Sequence, residues 1–231
     1  MNTAIIAAAG RGRRMGADLP KQFLPLCGKP VIAHTLSRFE AAPRVDSVII
    51  VVPEGQEEEV RSDVVSRYGF AKVASVLAGG ELRQDSVHAW LDALPDGCDI
   101  VLIHDAVRPM IEESTIDQCI DAAKECGAAV VAVRVKDTIK EADEGAVVLR
   151  TLEREALWSI QTPQCFRVDL IKEAHQRASE AGFSGTDDAV LVERLGGTVR
   201  LIEGSHHNIK ITTPEDLVIA EAILGVAVRE G

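Results

Sequence analysis

Thr3-Ala4-Ile5-Ile6-Ala7-Ala8-Ala9-Gly10-Arg11-Gly12-Arg13-Arg14-Met15-Gly16, at the start of the chain, decides the fold. Its first seven residues are small or apolar with two adjacent isoleucines, the pattern of a strand buried on both faces. Glycines and arginines then take over without transition. A buried strand running into a glycine-rich turn is the opening of a doubly wound α/β sheet. Further β-rich runs at 46–52, 72–77, 100–104 and 128–133 alternate with amphipathic helical stretches at about 30–41, 55–67, 84–94 and 113–125. The alternation predicts a Rossmann-like, doubly wound, mostly parallel sheet with helices on both faces, whose ligands collect at the C-terminal ends of the strands.

The glycine-rich turn is not a dinucleotide fingerprint. The third glycine of GxGxxG would fall at position 15, which is Met15, and Pro20 and Pro25 interrupt the helix that should follow. No acidic residue closes a strand near position 30 to hold a ribose. The turn instead carries Arg11, Arg13, Arg14 and Lys21 against Asp18, a cationic island in a chain of formal charge −11. Glycine permits close backbone approach to phosphates, and arginine offers forked donors to their oxygens. The chemistry indicated is phosphoryl or nucleotidyl transfer on a small, highly charged anion.

The chain of 231 residues is long enough for one domain with its own core, and no apolar run reaches the length that crosses a bilayer. The net acidity argues against nucleic acid or an anionic membrane as partner. The N-terminal run lacks the basic flank of a signal peptide, and five scattered cysteines form no CxxC pair, which together predict a cytoplasmic protein with reduced thiols. Residues 134–158 break the alternation, mixing charged and apolar residues around Asp143-Glu144-Gly145, and are expected to form a protruding hairpin arm that grips a partner subunit. Helices are expected near 168–181 and 186–195, a strand at 198–202, and a last helix after Thr213-Pro214, with threonine as the cap.

Several blocks in order resemble the 2-C-methyl-D-erythritol 4-phosphate cytidylyltransferases. They are the 10–15 loop with Pro20-Lys21-Gln22-Phe23, then Gly79-Gly80-Glu81-Leu82-Arg83-Gln84-Asp85-Ser86-Val87, then His104-Asp105-Ala106-Val107-Arg108-Pro109. Asp137-Thr138, Leu157-Trp158, Gln161-Thr162-Pro163-Gln164, Thr186-Asp187-Asp188-Ala189 and Asn208-Ile209-Lys210-Ile211-Thr212 follow. The resemblance implies a nucleotide-diphospho-sugar transferase-like fold and transfer of a cytidylyl group from CTP to a sugar-alcohol phosphate. It also implies roles. Arg14, Lys21 and Lys210 would be catalytic cations; Ala8, Ala9, Gly10, Gly80, Arg83 and Ser86 would surround the nucleotide. Asp105, Arg108, Thr138, Arg154 and Thr186 would hold the acceptor, with Asp105 also the candidate ligand for Mg²⁺. Thr138 and Arg154 lie on the arm, so the resemblance implies a homodimer in which they reach a neighbouring site.

Two departures from the family pattern are His206-His207 before Asn208 and Cys165 after Gln164. A strand is expected at Asn208-Ile209-Lys210, and the paired histidines before it read as surface or structural residues, since neighbours on a strand point to opposite faces. Two other readings remain: a D-ribitol 5-phosphate cytidylyltransferase, and a CTP-binding regulator without turnover. Arg13-Arg14-Met15 and Leu157-Trp158 favour the methylerythritol acceptor, and the presence of Arg14, Lys21 and Lys210 favours turnover.

Overall fold

The computed structural model describes residues 1–10, 19–79 and 90–230. Strand β1 (Asn2–Ala7) is followed by a small hairpin of β2 (Pro25–Leu26) and β3 (Lys29–Pro30), helix α1 (Val31–Ala41) and β4 (Ser47–Pro53). Next come α2 (Glu57–Val60), which continues over Arg61–Ser66 as a wider π-type helix, then β5 (Val73–Gly79), β6 (Ile100–Asp105), α3 (Glu113–Cys126) and β7 (Ala128–Arg134). The arm strands β8 (Lys140–Ala142) and β9 (Val148–Thr151) precede β10 (Trp158–Arg167), α4 (Val168–Glu180), α5 (Ala189–Arg194), β11 (Val199–Glu203) and α6 (Pro214–Glu230).

Seven strands form the central sheet in the order β11-β7-β10-β6-β1-β4-β5. All neighbours are parallel except β10, which runs antiparallel to both β6 and β7. Side-chain alternation explains why the sheet needs cover on both faces. Ala4, Ile6, Val48, Ile50 and Leu102 pack with α1 and α3 through Leu36, Phe39, Ile116 and Ile120. Ile5, Ile49, Val51, Val101 and Val130 pack on the other face with α4 and α5 through Ile171, Ala174, Leu191 and Val192. The chain leaves β1 towards β4 and β5, then returns to place β6 on β1's other side. That reversal opens a crevice at the C-terminal ends of β1 and β6, where such sheets bind ligands.

Three sequence expectations change. The interior strand β10 was not foreseen, because its middle, Gln161-Thr162-Pro163-Gln164, carries a proline that cannot donate to a ladder. The sheet accommodates it as an irregularity: pairing with β7 shifts register between Ile160 and Gln164. Residues 186–188 form a loop, and α5 starts only at Ala189. Asn208-Ile209-Lys210 lies in irregular chain rather than a strand, tied to the body where the Ile211 N–H donates to the Val107 carbonyl at 2.9 Å. His206 and His207 accordingly sit exposed on a turn.

At the start of α6 Thr213 precedes Pro214, and Asp216 in the first turn bonds back to it. Asp216 Oδ2 accepts hydrogen bonds from the Thr212 N–H at 2.7 Å, the Thr212 hydroxyl at 2.8 Å and the Thr213 N–H at 2.8 Å. An acidic side chain in the first turn thus satisfies the backbone donors that precede the helix. The arm is a two-stranded ribbon whose β8 and β9 residues are all exposed. Asp143 shapes its tip by accepting from the Gly145 and Val147 N–H groups at 3.0 and 2.9 Å. Most of the expected 84–94 helix lies outside the described residues, although 90–92 are helical. No helix among the described residues is long and apolar enough to cross a membrane.

Candidate active site

A cleft of about 640 Å³ opens at the crevice between β1 and β6. Ala7, Ala8, Ala9 and Gly10 form one wall, small enough for a ligand to approach the backbone. Gln22, 1% exposed, fixes that wall by donating its amide Nε2 to the Ala8 carbonyl at 2.5 Å. The same short turn, Lys21–Phe23, brings Lys21 to the cleft.

Asp105 stands at the C-terminal lip of β6, as its place after an apolar run predicted. Its Oδ2 accepts from Lys210 Nζ at 3.0 Å and Arg108 Nε at 3.1 Å. Burial alone would raise the Asp105 carboxyl, but the Lys210 ammonium and the Arg108 guanidinium outweigh it and hold the group below the ordinary carboxylate value. Asp105 is therefore ionised at neutral pH and anchors two cations at the cleft floor. Arg108 is further fixed by donating Nη1 to the Asn208 carbonyl at 2.8 Å.

Beneath this triad lies a buried hydrogen-bond frame whose members carry no individual role in the sequence pattern. The Thr162 hydroxyl oxygen accepts the Asp105 N–H at 3.0 Å and lies 3.0 Å from His104 Nδ1, while His104 Nε2 lies 3.1 Å from the Arg108 carbonyl. The Arg108 carbonyl can only accept, so Nε2 carries the proton and Nδ1 accepts from Thr162. Burial keeps the ring neutral, lowering its pKa from 6.5 to about 4. Asn208, 1% exposed, donates Nδ2 to Gln161 Oε1 at 3.0 Å and to the Thr162 carbonyl at 3.1 Å. The sequence signal for these roles was available only as motif membership, because a frame of this kind depends on contacts between distant segments.

Thr186 and Asp187 complete the rim. Thr138 and Arg154 are not brought to this cleft: Arg154 donates Nη1 to the Lys136 carbonyl within the base of the arm. Arg14, Gly80, Arg83 and Ser86 fall outside the described residues. Among the described residues no cluster of three His, Cys, Asp or Glu side chains could cage a metal. Among the described residues the donor set at the lip is one ionised carboxylate, Asp105, whose Oδ2 is shared by two cations. That set fits Mg²⁺ in its usual manner, held by a single carboxylate and by substrate phosphates, and does not fit an ion caged by protein alone.

The family model for 2-C-methyl-D-erythritol 4-phosphate cytidylyltransferase matches residues 2–226. The protein of that name from Pelotomaculum thermopropionicum is 51% identical over 96% of this chain and 93% of its own, and the Geotalea uraniireducens one is 50% identical over 96% of each. Among solved structures, 4-diphosphocytidyl-2C-methyl-D-erythritol synthase from Anaerococcus prevotii superposes with a TM-score of 0.86 at 32% identity, covering 97% of this chain and 96% of that one. The Thermus thermophilus 2-C-methyl-D-erythritol 4-phosphate cytidylyltransferase gives 0.79 at 35% identity over 96% and 98%. On the match across nearly its whole length, the chain belongs to the 2-C-methyl-D-erythritol 4-phosphate cytidylyltransferase family.

Proposed function

We propose that the chain catalyses attack of a phosphate oxygen of 2-C-methyl-D-erythritol 4-phosphate on the α-phosphorus of CTP, forming 4-diphosphocytidyl-2-C-methyl-D-erythritol and releasing pyrophosphate. The observation that carries this reading is the Asp105-anchored pair of cations, Lys210 and Arg108, in one cleft with the small residues Ala7, Ala8, Ala9 and Gly10 at the crevice between β1 and β6. A phosphate monoester has a second pKa of about 6, so the nucleophile is already anionic at neutral pH. The task is to bring two anions together and to stabilise a crowded phosphoryl centre, which calls for fixed cations rather than a base.

Each residue then has a part. The Ala8-Ala9-Gly10 backbone lies against the nucleotide, with Gly80, Arg83 and Ser86 completing its pocket by resemblance. Lys21 and Arg14 take the charge that develops on the triphosphate. Lys210 adds charge where the two phosphates meet, Arg108 draws in the acceptor phosphate, and Asp105 holds both in place while limiting their repulsion. Mg²⁺, bound by Asp105 and the nucleotide phosphates, would supply further charge neutralisation there. Thr186 binds the acceptor from the rim.

The chain works as one catalytic domain whose arm pairs with a second copy, which supplies Thr138 and Arg154. Exposure of Val147, Val148 and Leu149 at 62%, 55% and 60% supports this role, since a ribbon bearing three adjacent exposed apolar residues gains by burial against a partner. The five thiols suit a reducing, cytoplasmic setting. The direct test is pyrophosphate release with CTP and Mg²⁺, comparing 2-C-methyl-D-erythritol 4-phosphate with D-ribitol 5-phosphate. Release with the first alone is expected; preference for the second moves the chain to the sister activity, and silence with both despite CTP binding makes it a regulator.

A further inference from the structure

Asp187 lines the cleft, where an acidic side chain invites assignment as a metal or substrate ligand. Its hydrogen bonds point elsewhere. Oδ2 accepts from Gln164 Nε2 at 2.9 Å, and Oδ1 accepts from the Val190 N–H at 3.0 Å in the first turn of α5. Gln164 is 3% exposed, seated in β10 between Ile103 of β6 and Val130 of β7, and its Oε1 accepts the Ala189 N–H at 3.3 Å. The rim loop is thus joined to an interior strand of the sheet by both ends of one buried amide. Close packing before the clamp adds a separate constraint: a Cβ at Gly185 would sit 2.3 Å from Val190 Cγ1 and 2.9 Å from the Asp187 carbonyl oxygen. Only glycine lets the chain fold back so tightly at this point.

We propose that Asp187 is a positioning residue, its carboxylate committed to a clamp with Gln164 that sets the rim loop and so places Thr186 on the cleft wall. The proposal rests on the reading above only in assigning Thr186 to the acceptor. Donor and acceptor identities in the clamp are fixed by its other bonds. Oδ1 must accept from Val190 and Oε1 must accept from Ala189, so the remaining contact needs one N–H donor and one acceptor, and either residue can supply either.

The exchange Gln164→Glu with Asp187→Asn reverses that contact and keeps the other two bonds. Gln164→Glu alone sets carboxylate against carboxylate, and Asp187→Asn alone sets amide N–H against amide N–H. The experiment measures both KM values, kcat and the thermal midpoint for the two single variants and the double variant. Each single variant is expected to raise the acceptor KM about tenfold or more and to leave the CTP KM within about twofold, as displacement of a substrate-holding loop does. The double variant is expected to return to within about threefold of wild type, a coupling between contacting residues that a cycle detects. A double variant as impaired as the single ones overturns the proposal, because the carboxylate itself is then required. Should the single variants lose their fold, recovery or failure of the double variant decides alone. If the single variants move the CTP KM and the double variant restores it, the clamp holds and the assignment of Thr186 to the acceptor falls.

Discussion

Replacing Lys210 by alanine removes one of the two cations that Asp105 holds at the cleft floor. The described part of the cleft presents Lys21, Arg108 and Lys210 against Asp105 and Asp187, a balance of one positive charge, which the substitution reduces to none. The acceptor phosphate and the triphosphate are both polyanions, so the variant loses attraction where their charges meet. Loss of one preorganised contact to a developing charge costs about 2.7–4 kcal/mol in activation free energy, or roughly 10²–10³-fold in kcat. Stability should change far less. Lys210 is 41% exposed, and an ion pair so accessible to water contributes at most about 1 kcal/mol, while Asp105 keeps Arg108 as a partner. In a chain of this size that corresponds to a fall of roughly 2–4 °C in Tm. Steady-state pyrophosphate release and thermal unfolding, measured on the same preparation, separate the two effects. Lys210→Ala turnover within threefold of wild type would refute the role given to this cation.

Other outcomes follow from the same geometry. Lys21→Ala should lower kcat by roughly 100-fold, the scale of one transition-state electrostatic contact, and wild-type turnover would remove Lys21 from the mechanism. His104 is neutral when folded, with a pKa of about 4 against 6.5 in the open chain, so the unfolded state binds more protons between those values. Stability from this group is therefore complete above about pH 6.5 and is lost as pH falls through about 4, an amount of about 3 kcal/mol. Asp105, with its own lowered pKa, adds to the loss in the same direction at the acid end. Denaturant titrations from pH 7.5 to 4.5 should show this slope, and His104→Gln should flatten it. Leu149→Asp in the exposed arm should convert a dimer to monomers on size-exclusion chromatography with light scattering and raise the acceptor KM; an unchanged dimer would remove the arm from the interface.

Which features could be read in the sequence follows from how local their causes are. β1, β4, β6 and β7 announce themselves because strands buried on both faces must be apolar at nearly every position, and the chain reversal that opens the cleft follows from their alternation with helices. Asp105 was placed correctly at a strand lip by the same logic. β10 was invisible because Gln161, Thr162 and Gln164 are polar and Pro163 forbids regular pairing, yet these side chains are buried or half-buried and bonded to distant segments. The Lys210 segment reads in the sequence as a strand end, whereas Asn208 and Ile211 hold it as irregular chain through bonds to Gln161, Thr162 and Val107. The roles of His104 and Gln22 were hidden for the same reason. Each bonds to a backbone carbonyl whose position only the folded sheet determines. Thr138 and Arg154 lie away from their own chain's cleft, so their assignment still rests on family resemblance and the arm.

In the proposed reaction a phosphate oxygen of the acceptor attacks the α-phosphorus of CTP and pyrophosphate departs. Acceptor labelled with ¹⁸O in the non-bridging oxygens of its phosphate tests this by mass spectrometry of both products. All label is expected to stay in the cytidine diphosphate product, one atom of it in the new bridge, with pyrophosphate unlabelled. An unlabelled bridge would mean attack by another oxygen of the acceptor, and CMP or CDP released in place of pyrophosphate would mean attack at another phosphorus; either would contradict it.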